Sequence, residues 1–376
     1  MSPRIFALSA LLFVLARVHA AEPCQALREY DGITAIVTEQ FYDRTFRGMD
    51  WPARVARYRE QVSCGDSDSA LAAQINTLLS ELHASHTGLY TKNDLDYWAL
   101  RSIFSTQTDA FPIASSGIWP KRIGQAQYAA YVLEASPAAQ AGVLAGDLLV
   151  SLDGAPFDPL KFDAQGESTL VVSSDGRTQR TVRVRAVLES TQSAFLRASI
   201  ASEREIPVGN KRVGYFHLWA GTHARFLESL DAALASFERA HVDALILDLR
   251  GGFGGAGLEY IENLAPGKPL ARIPKYILID DGVRSGKEWI AAGVRQQKIG
   301  TLVGSKTAGA FLGGRANQPF DSKYFLYVAW AAFVPDGIPP IEGIGVAPDV
   351  AVPACRVFCG GRDRQLEKAL ELIRRS

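Results

Sequence analysis

The sequence predicts a multi-domain α/β protein, and three observations carry that expectation. Residues 205–376 alternate strand-like and helical segments, the pattern of a layered α/β core. Residues 24–86 carry apolar residues at the 3–4 spacing of packed helices. Between them, residues 117–188 switch to short β-rich runs broken by Gly, Asp and Ser turns. A chain of 376 residues is long for a single core, so two or three domains are expected. Hydrophobic residues make up 47% and charged residues 21%, ample material for such cores. The 40 Lys and Arg residues balance 40 Asp and Glu, so the chain lacks the basic footprint of a nucleic-acid binder.

Residues 1–20 read as a signal peptide. Arg4 gives a weak positive start, "IFALSALLFVLA" (5–16) an apolar stretch, and "VHA" (18–20) a small-x-small cleavage site. The apolar stretch is shorter than the roughly 20 residues of a membrane span, and no later segment reaches that length. Export to the periplasm or beyond is expected, with no integral membrane span. Four cysteines follow: Cys24, Cys64, Cys355 and Cys359. An even count in an oxidising compartment suggests disulfides and leaves three pairings open. Cys24 with Cys64 would tie the chain start to a helix end, and Cys355 with Cys359 would close a small loop. Zinc is the alternative, but no histidine stands near Cys355 and Cys359.

Residues 21–110 are expected to form an N-terminal helical domain. Its segments are "ALREYDGITAIVTEQFYDRTF", "WPARVARYREQV" and "SALAAQINTLLSELHASH", the last capped by Asp66 or Ser67. The stretch from 87 to about 116 has a mixed signal and reads as a linker. Just before it lie the histidines His83 and His86; an i, i+3 pair could share a metal, but no third ligand is nearby, so no metal is expected.

Residues 115–190 resemble a PDZ domain. The resemblance rests on "VLEASPAAQAGVLAGDLLVSLDG" (132–154), in which Ser-Pro-Ala-x-x-Ala-Gly opens a short helix and Gly-Asp makes a turn before a strand. It implies capture of an extended peptide C-terminus by strand addition. The carboxylate-binding loop would then be "SSGIW", with Ser116, Gly117 and Ile118.

In residues 205–376 the chemistry gathers at two turns. The buried strand in "YILIDDGVRSGKE" ends before Ser285, which opens a helix. A serine there sees free N–H groups and the positive end of the helix dipole, which would stabilise an oxyanion. The same residues spell a capping box, Ser285 to Glu288. "LILDLRGGFGG" (245–255) delivers a glycine-dense turn that can aim backbone N–H groups into a cleft. It lacks the Lys-Ser/Thr ending of a nucleotide loop and the spacing of a dinucleotide site, so no cofactor is expected.

Taken together, "LILDLRGGFGG", the PDZ-like segment before it, "GVRSGKE", "TLVGSKTAGA" and "IEGIGVAPDVAV" resemble the C-terminal processing (tail-specific) serine peptidase family, which includes the tricorn core proteases. The resemblance implies a crotonase/ClpP-like α/β catalytic core over 205–376 and protein or peptide substrates. Ser285 matches the nucleophile; Gly286 and either Gly255 or Gly254 match the oxyanion donors. Many members use a lysine base, but that slot here holds Ala310, which cannot act as one. Lys306 stands four residues short of it, and Lys287 reads as a solvated helix residue. The tricorn-like branch instead takes its base from a Ser-His pair, which "ASHTGL" supplies as Ser85 and His86, and a late glutamate, here Glu342. Histidine has the right resting pKa for a general base. His217 and His223, flanking a strand end, are candidates to face substrate. The alternative reading is a non-catalytic peptide- or hydrophobic-ligand-binding protein on the same fold.

Overall fold

The computed structural model describes residues 22–376, so the signal-peptide expectation lies outside the described residues. A six-stranded sheet forms the centre. Its strands, in spatial order, are Arg204–Val208, Lys211–His217, Ala244–Asp248, Lys275–Ile279, Thr301–Gly304 and Val350–Ala351. The first pair is antiparallel and the rest are parallel. Ala244–Asp248 and Lys275–Ile279 are buried at every position. Strand geometry sends alternate side chains to opposite faces. Leu245, Leu247, Ile277 and Ile279 therefore meet the helices Ala224–Arg239 and Gly286–Gln296. Ala244, Ile246, Tyr276 and Leu278 meet the helix Arg364–Arg375. Each fully buried Leu, Ile or Phe in these layers contributes about 1.5–3 kcal/mol. Parallel strands place their outgoing turns along one edge, the usual ligand edge of such sheets. The turns at 249–255 and 280–285 both leave from it.

The N-terminal helices Gln25–Gln40, Trp51–Arg59 and Asp68–Ser80 have a core of their own, but they share it with distant strands. Tyr30, Ile33, Trp51 and Ile75 pack against Tyr324, Leu326 and Val328. Tyr324–Ala332 is the centre of a three-stranded antiparallel sheet with Gly88–Thr91 and Leu312–Asn317. The long strand around 323–334 thus belongs to this second sheet and not to the central one. Glu29 holds the two parts together, accepting hydrogen bonds from Lys323 and the Tyr324 hydroxyl, each at 2.7 Å.

The expected linker from 87 to 116 is folded. Gly88–Thr91 pairs with Tyr324–Ala332, and the helix Leu95–Ile103 buries Tyr97, Ala99 and Leu100. A four-residue strand and a nine-residue helix are each too short to show a full hydrophobic period, which is why the signal looked mixed.

The β-rich region forms a sheet with path order Ile118–Ile123, Ala126–Val132, Leu148–Leu152, Ser168–Ser173 and Arg180–Val184. Ser136 caps the short helix Pro137–Gln140 by accepting the Ala139 N–H. A buried polar knot pins this sheet to the centre. The Tyr131 hydroxyl donates to Asp280 at 2.9 Å, and Arg356 donates to the same carboxylate at 2.6 Å. Arg356 sits inside the loop closed by the Cys355–Cys359 disulfide; Cys24 and Cys64 form the second bridge. No helix among the described residues is long and apolar enough to cross a membrane.

Candidate active site

Ser285 ends the turn after Lys275–Ile279 and caps the helix Gly286–Gln296 in an unusual backbone state, φ 55° and ψ −131°. A positive φ is costly for a residue with a Cβ and persists only where its surroundings impose it. Two backbone bonds do so here: Ser285 N–H donates to Ala310 O at 2.8 Å, and Ser285 O accepts from Glu288 N–H at 2.8 Å. The Ser285 hydroxyl makes no capping bond. The expected capping box therefore does not form. Glu288 turns inward, fully buried, and accepts from Thr307 Oγ1 and from the N–H groups of Gly309 and Ala310. These three donors hold the Glu288 carboxylate, and the Ser285 side chain is left free.

The glycine turn lies directly against this serine. A Cβ on Gly254 would come within 2.5 Å of Ser285 Cβ and 2.8 Å of Gly286 N. One on Gly286 would stand 1.9 Å from Ala256 O, so the contact requires glycine. Gly255 has φ 82°, a left-handed value that favours glycine. Among the described residues, the N–H groups of Gly254, Gly255 and Gly286 have no acceptor.

His86 also has a positive φ, 54°. Its Nδ1 is 2.9 Å from Ser85 Oγ, which is 2.8 Å from Glu342 Oε2. Glu342 is fixed in turn by the N–H groups of Ser85 at 2.9 Å and Phe311 at 2.7 Å. The direction of these bonds follows from the carboxylate, which only accepts. Ser85 gives its hydroxyl hydrogen to Glu342, so Ser85 Oγ accepts from His86 Nδ1–H. The Nε2 lone pair of His86 is then unused. Burial and the nearby Arg284 guanidinium lower the His86 pKa to about 4, against the opposing pull of Glu342. The ring is neutral at neutral pH.

Ser285, His86, Ser85, Gly254, Gly255 and Arg284 all line one cavity of about 840 Å³, together with aromatic side chains such as Phe253 and Tyr327. The cavity's lining comes from the turns of the central sheet and from strands of the second sheet, including Leu312, Gly314 and Tyr327. Ala310 lines it too, and contributes its carbonyl to Ser285 in place of a side chain. The residues around this cavity thus supply a hydroxyl, a ring nitrogen with a free lone pair and unpaired N–H donors. That is the equipment of acyl transfer.

The other expected residues fall as follows. Lys287, read as solvated, is wholly buried; its Nζ donates to the carbonyls of Leu218, Trp219 and Gly251. Residue 287 is turned inward because the helix rests on the glycine turn. Lys306 is exposed and outside the cavity. His83 is exposed, its carbonyl accepting from Arg47. His223 lines the cavity and caps the helix Ala224–Arg239 by accepting the Arg225 N–H at 3.2 Å. His217 lies elsewhere, between Glu134 and Arg250 O. In the "SSGIW" loop, the buried Ser116 accepts the Ile118 N–H at 3.3 Å and Gly117 packs against Ser136. The cavity beside Ser116, Gly117 and Ile118 is only about 30 Å³. No cluster of three or more metal-ligating side chains occurs among the described residues. Arg284 was overlooked in the sequence, although its place beside Ser285 was a sufficient signal.

An α/β core that sets a serine beside a glycine turn at its ligand edge is suited to acyl transfer. Residues 260–352 match the model of peptidase family S41, a span that includes Ser285 and Glu342. A tricorn protease homolog of Streptomyces coelicolor is 25% identical over 94% of this chain, and carboxyl-terminal-processing peptidase 3 of Arabidopsis thaliana chloroplasts is 24% identical over 84%. The chain spans 33% and 66% of the lengths of these two relatives. Among solved structures, the photosystem II D1 C-terminal processing protease shares the fold with a TM-score of 0.55 and 18% identity, covering 91% of this chain and 99% of its own. The tricorn protease gives a TM-score of 0.55 at 17% identity, covering 93% of this chain and 36% of its own. Residues 260–352 thus carry a peptidase S41 domain, and the relatives and the shared fold support the C-terminal processing serine peptidase family.

Proposed function

We propose that the protein is an exported serine endopeptidase of the tricorn-like kind, with a Ser/His site. Ser285 Oγ attacks the carbonyl carbon of a peptide bond while His86 Nε2 takes the hydroxyl proton. Charge builds on the carbonyl oxygen, facing the N–H groups of Gly286 and of Gly254 or Gly255. The C–N bond then breaks, and the imidazolium returns its proton to the leaving amine. Water, deprotonated by the same nitrogen, hydrolyses the acyl-enzyme and frees Ser285. Ser85 and Glu342 hold the His86 tautomer and stabilise the transient imidazolium. Because its pKa is low, His86 is a neutral base across the physiological range.

The observation that carries this reading is the Glu342–Ser85–His86 chain of hydrogen bonds ending in the cavity that holds Ser285. Residues 115–190 act in it as a PDZ-type module that binds or gates peptide C-termini, and residues 21–110 carry the Ser-His motif. The two disulfides suit an oxidising compartment.

A casein digestion assay, with cleavage sites read by mass spectrometry, tests the reading. The wild type is expected to cleave internal bonds and Ser285→Ala to be inactive. Equal cleavage by both overturns the assignment of the nucleophile. No cleavage by either, together with tight binding of a peptide, supports a non-catalytic binding protein instead.

A further inference from the structure

Lys287 stands two residues after the proposed nucleophile and is fully buried. A buried ammonium costs several kcal/mol of lost hydration unless its hydrogens are well used, and an apolar side chain of similar length would pack as well. All three hydrogens are used here. They go to Leu218 O and Trp219 O, each at 3.2 Å, and to Gly251 O. Burial moves the Lys287 pKa down to about 7, with Asp280 and Asp248 opposing.

The three carbonyls lie on two different segments. Leu218 and Trp219 follow the strand Lys211–His217, and Gly251 opens the glycine turn. These segments are already joined to each other: Phe253 N–H donates to Trp219 O at 3.0 Å and Gly221 N–H to Gly254 O at 2.8 Å. Their fit is close, since a Cβ on Gly252 would lie 1.9 Å from Trp219 O. Lys287 adds the bonds that run from the helix of Ser285 to both. Gly254 and Gly255, at the far end of the same turn, carry the unpaired N–H groups.

We infer that Lys287 is a positioning residue: its ammonium clamps the glycine turn to the nucleophile's helix and so keeps the oxyanion donors aimed beside Ser285. It is not the base, because its hydrogens all point to carbonyls and it does not line the cavity. The inference rests on the peptidase reading above. It differs from a packing role in what it predicts. Loss of the clamp lowers the chemical step and leaves substrate affinity alone.

The test compares the full-length wild type with Lys287→Met and Lys287→Gln, using a fluorophosphonate probe and resolving its binding constant from its inactivation rate. Lys275→Met is the control. Lys275 is also a buried lysine bonded to carbonyls, those of Ala271 and Ile273, but far from the turn. Lys287→Met is expected to slow inactivation by about 10²-fold, as losing an oxyanion donor does, with the binding constant unchanged. Lys287→Gln, which keeps two N–H donors, is expected to lose less. Lys275→Met is expected to lower Tm while its folded fraction reacts at the wild-type rate. The inference is overturned if the Lys287 variants react at the wild-type rate per folded molecule, or if they weaken probe binding instead. It is also overturned if neither variant folds, which makes Lys287 structural. A wild type that is not labelled at Ser285 removes the peptidase reading, and the inference with it.

Discussion

Two histidines of this protein are each tied to a glutamate, yet they are held in opposite states. His86 gives its Nδ1–H to Ser85, which passes the bond on to Glu342, and Nε2 is left without a partner in a residue that lines the cavity. His217 has Nδ1 at 2.8 Å from Glu134 Oε1 and Nε2 at 2.9 Å from Arg250 O. Both of its partners are acceptors, so both nitrogens carry hydrogen and the ring is an imidazolium. Burial opposes that charge, but Asp248 and Glu134 outweigh it and hold the His217 pKa above the ordinary value. Trp219 stacks on the ring at 3.9 Å and donates to the second oxygen of Glu134. The lesson is that a base is made by leaving one position unfilled. A histidine whose two nitrogens are both satisfied joins elements together, here the β-rich sheet to the glycine turn. It has no lone pair to offer.

The contrast is most easily broken by exchanging the losses. His86→Ala should slow acylation about 10²–10⁴-fold, the usual worth of a general base, with little change in Tm. His217→Ala should do the reverse. It leaves Glu134 with the Trp219 N–H alone and the buried Arg250 carbonyl without this donor, and removing one partner of a buried pair costs up to about 3–5 kcal/mol. Its remaining folded molecules should still label at close to the wild-type rate. Thermal melts and probe labelling on the same preparations separate the two outcomes.

Smaller changes sharpen the contrast. Glu342→Gln keeps the shape but weakens the pull on the Ser85 hydroxyl. A charge-assisted hydrogen bond is worth about 1.5–3 kcal/mol, so acylation should fall about 10–100-fold, which kcat/KM measurements will show. The pH dependences should also differ in sign. The His86 pKa is low in the folded protein, so kcat/KM should hold down to about pH 4 and fall below it. The same shift means that stability is lost as pH falls from about 6.5 toward 4, because the unfolded histidine takes up a proton first. The His217 pKa is raised, so its contribution is full below about 6.5 and is lost as pH rises through the folded value. The smallest effect is expected from Arg284→Met. Removing that cation should move the acid limb of kcat/KM upward in pH, while burial keeps it below the ordinary histidine value.

Much of this was legible in the sequence, for reasons that can be named. The strands 244–248 and 275–279 are apolar runs but for Asp248 and Lys275 at their ends, because both faces of a parallel sheet are covered. The glycine turn and Ser285 stood out because each is a local signal at a strand end. The Ser85, His86 and Glu342 positions could be read only from the family's motif order, since their contact spans most of the chain. What local pattern missed was the direction of side chains on the helix 286–296. Lys287 reads as solvated and Glu288 as a capping-box partner, but the first is met by the carbonyls beneath it and the second by the N–H groups of Gly309 and Ala310. The sheet shared by 88–91, 312–317 and 324–332 was hidden for a similar reason. Its strands are short or far apart, and their partners lie in a different part of the sequence.

The relation between His86 and Ser285 can be measured directly as the second-order rate of fluorophosphonate labelling at Ser285, compared at pH 7 in the wild type and in His86→Ala. Labelling mapped to Ser285 in the wild type, and slower by about 10²-fold or more in the variant, is the expected result. Equal rates in the two proteins would show that Ser285 draws its reactivity from another base, and the Glu342–Ser85–His86 chain would lose its proposed role.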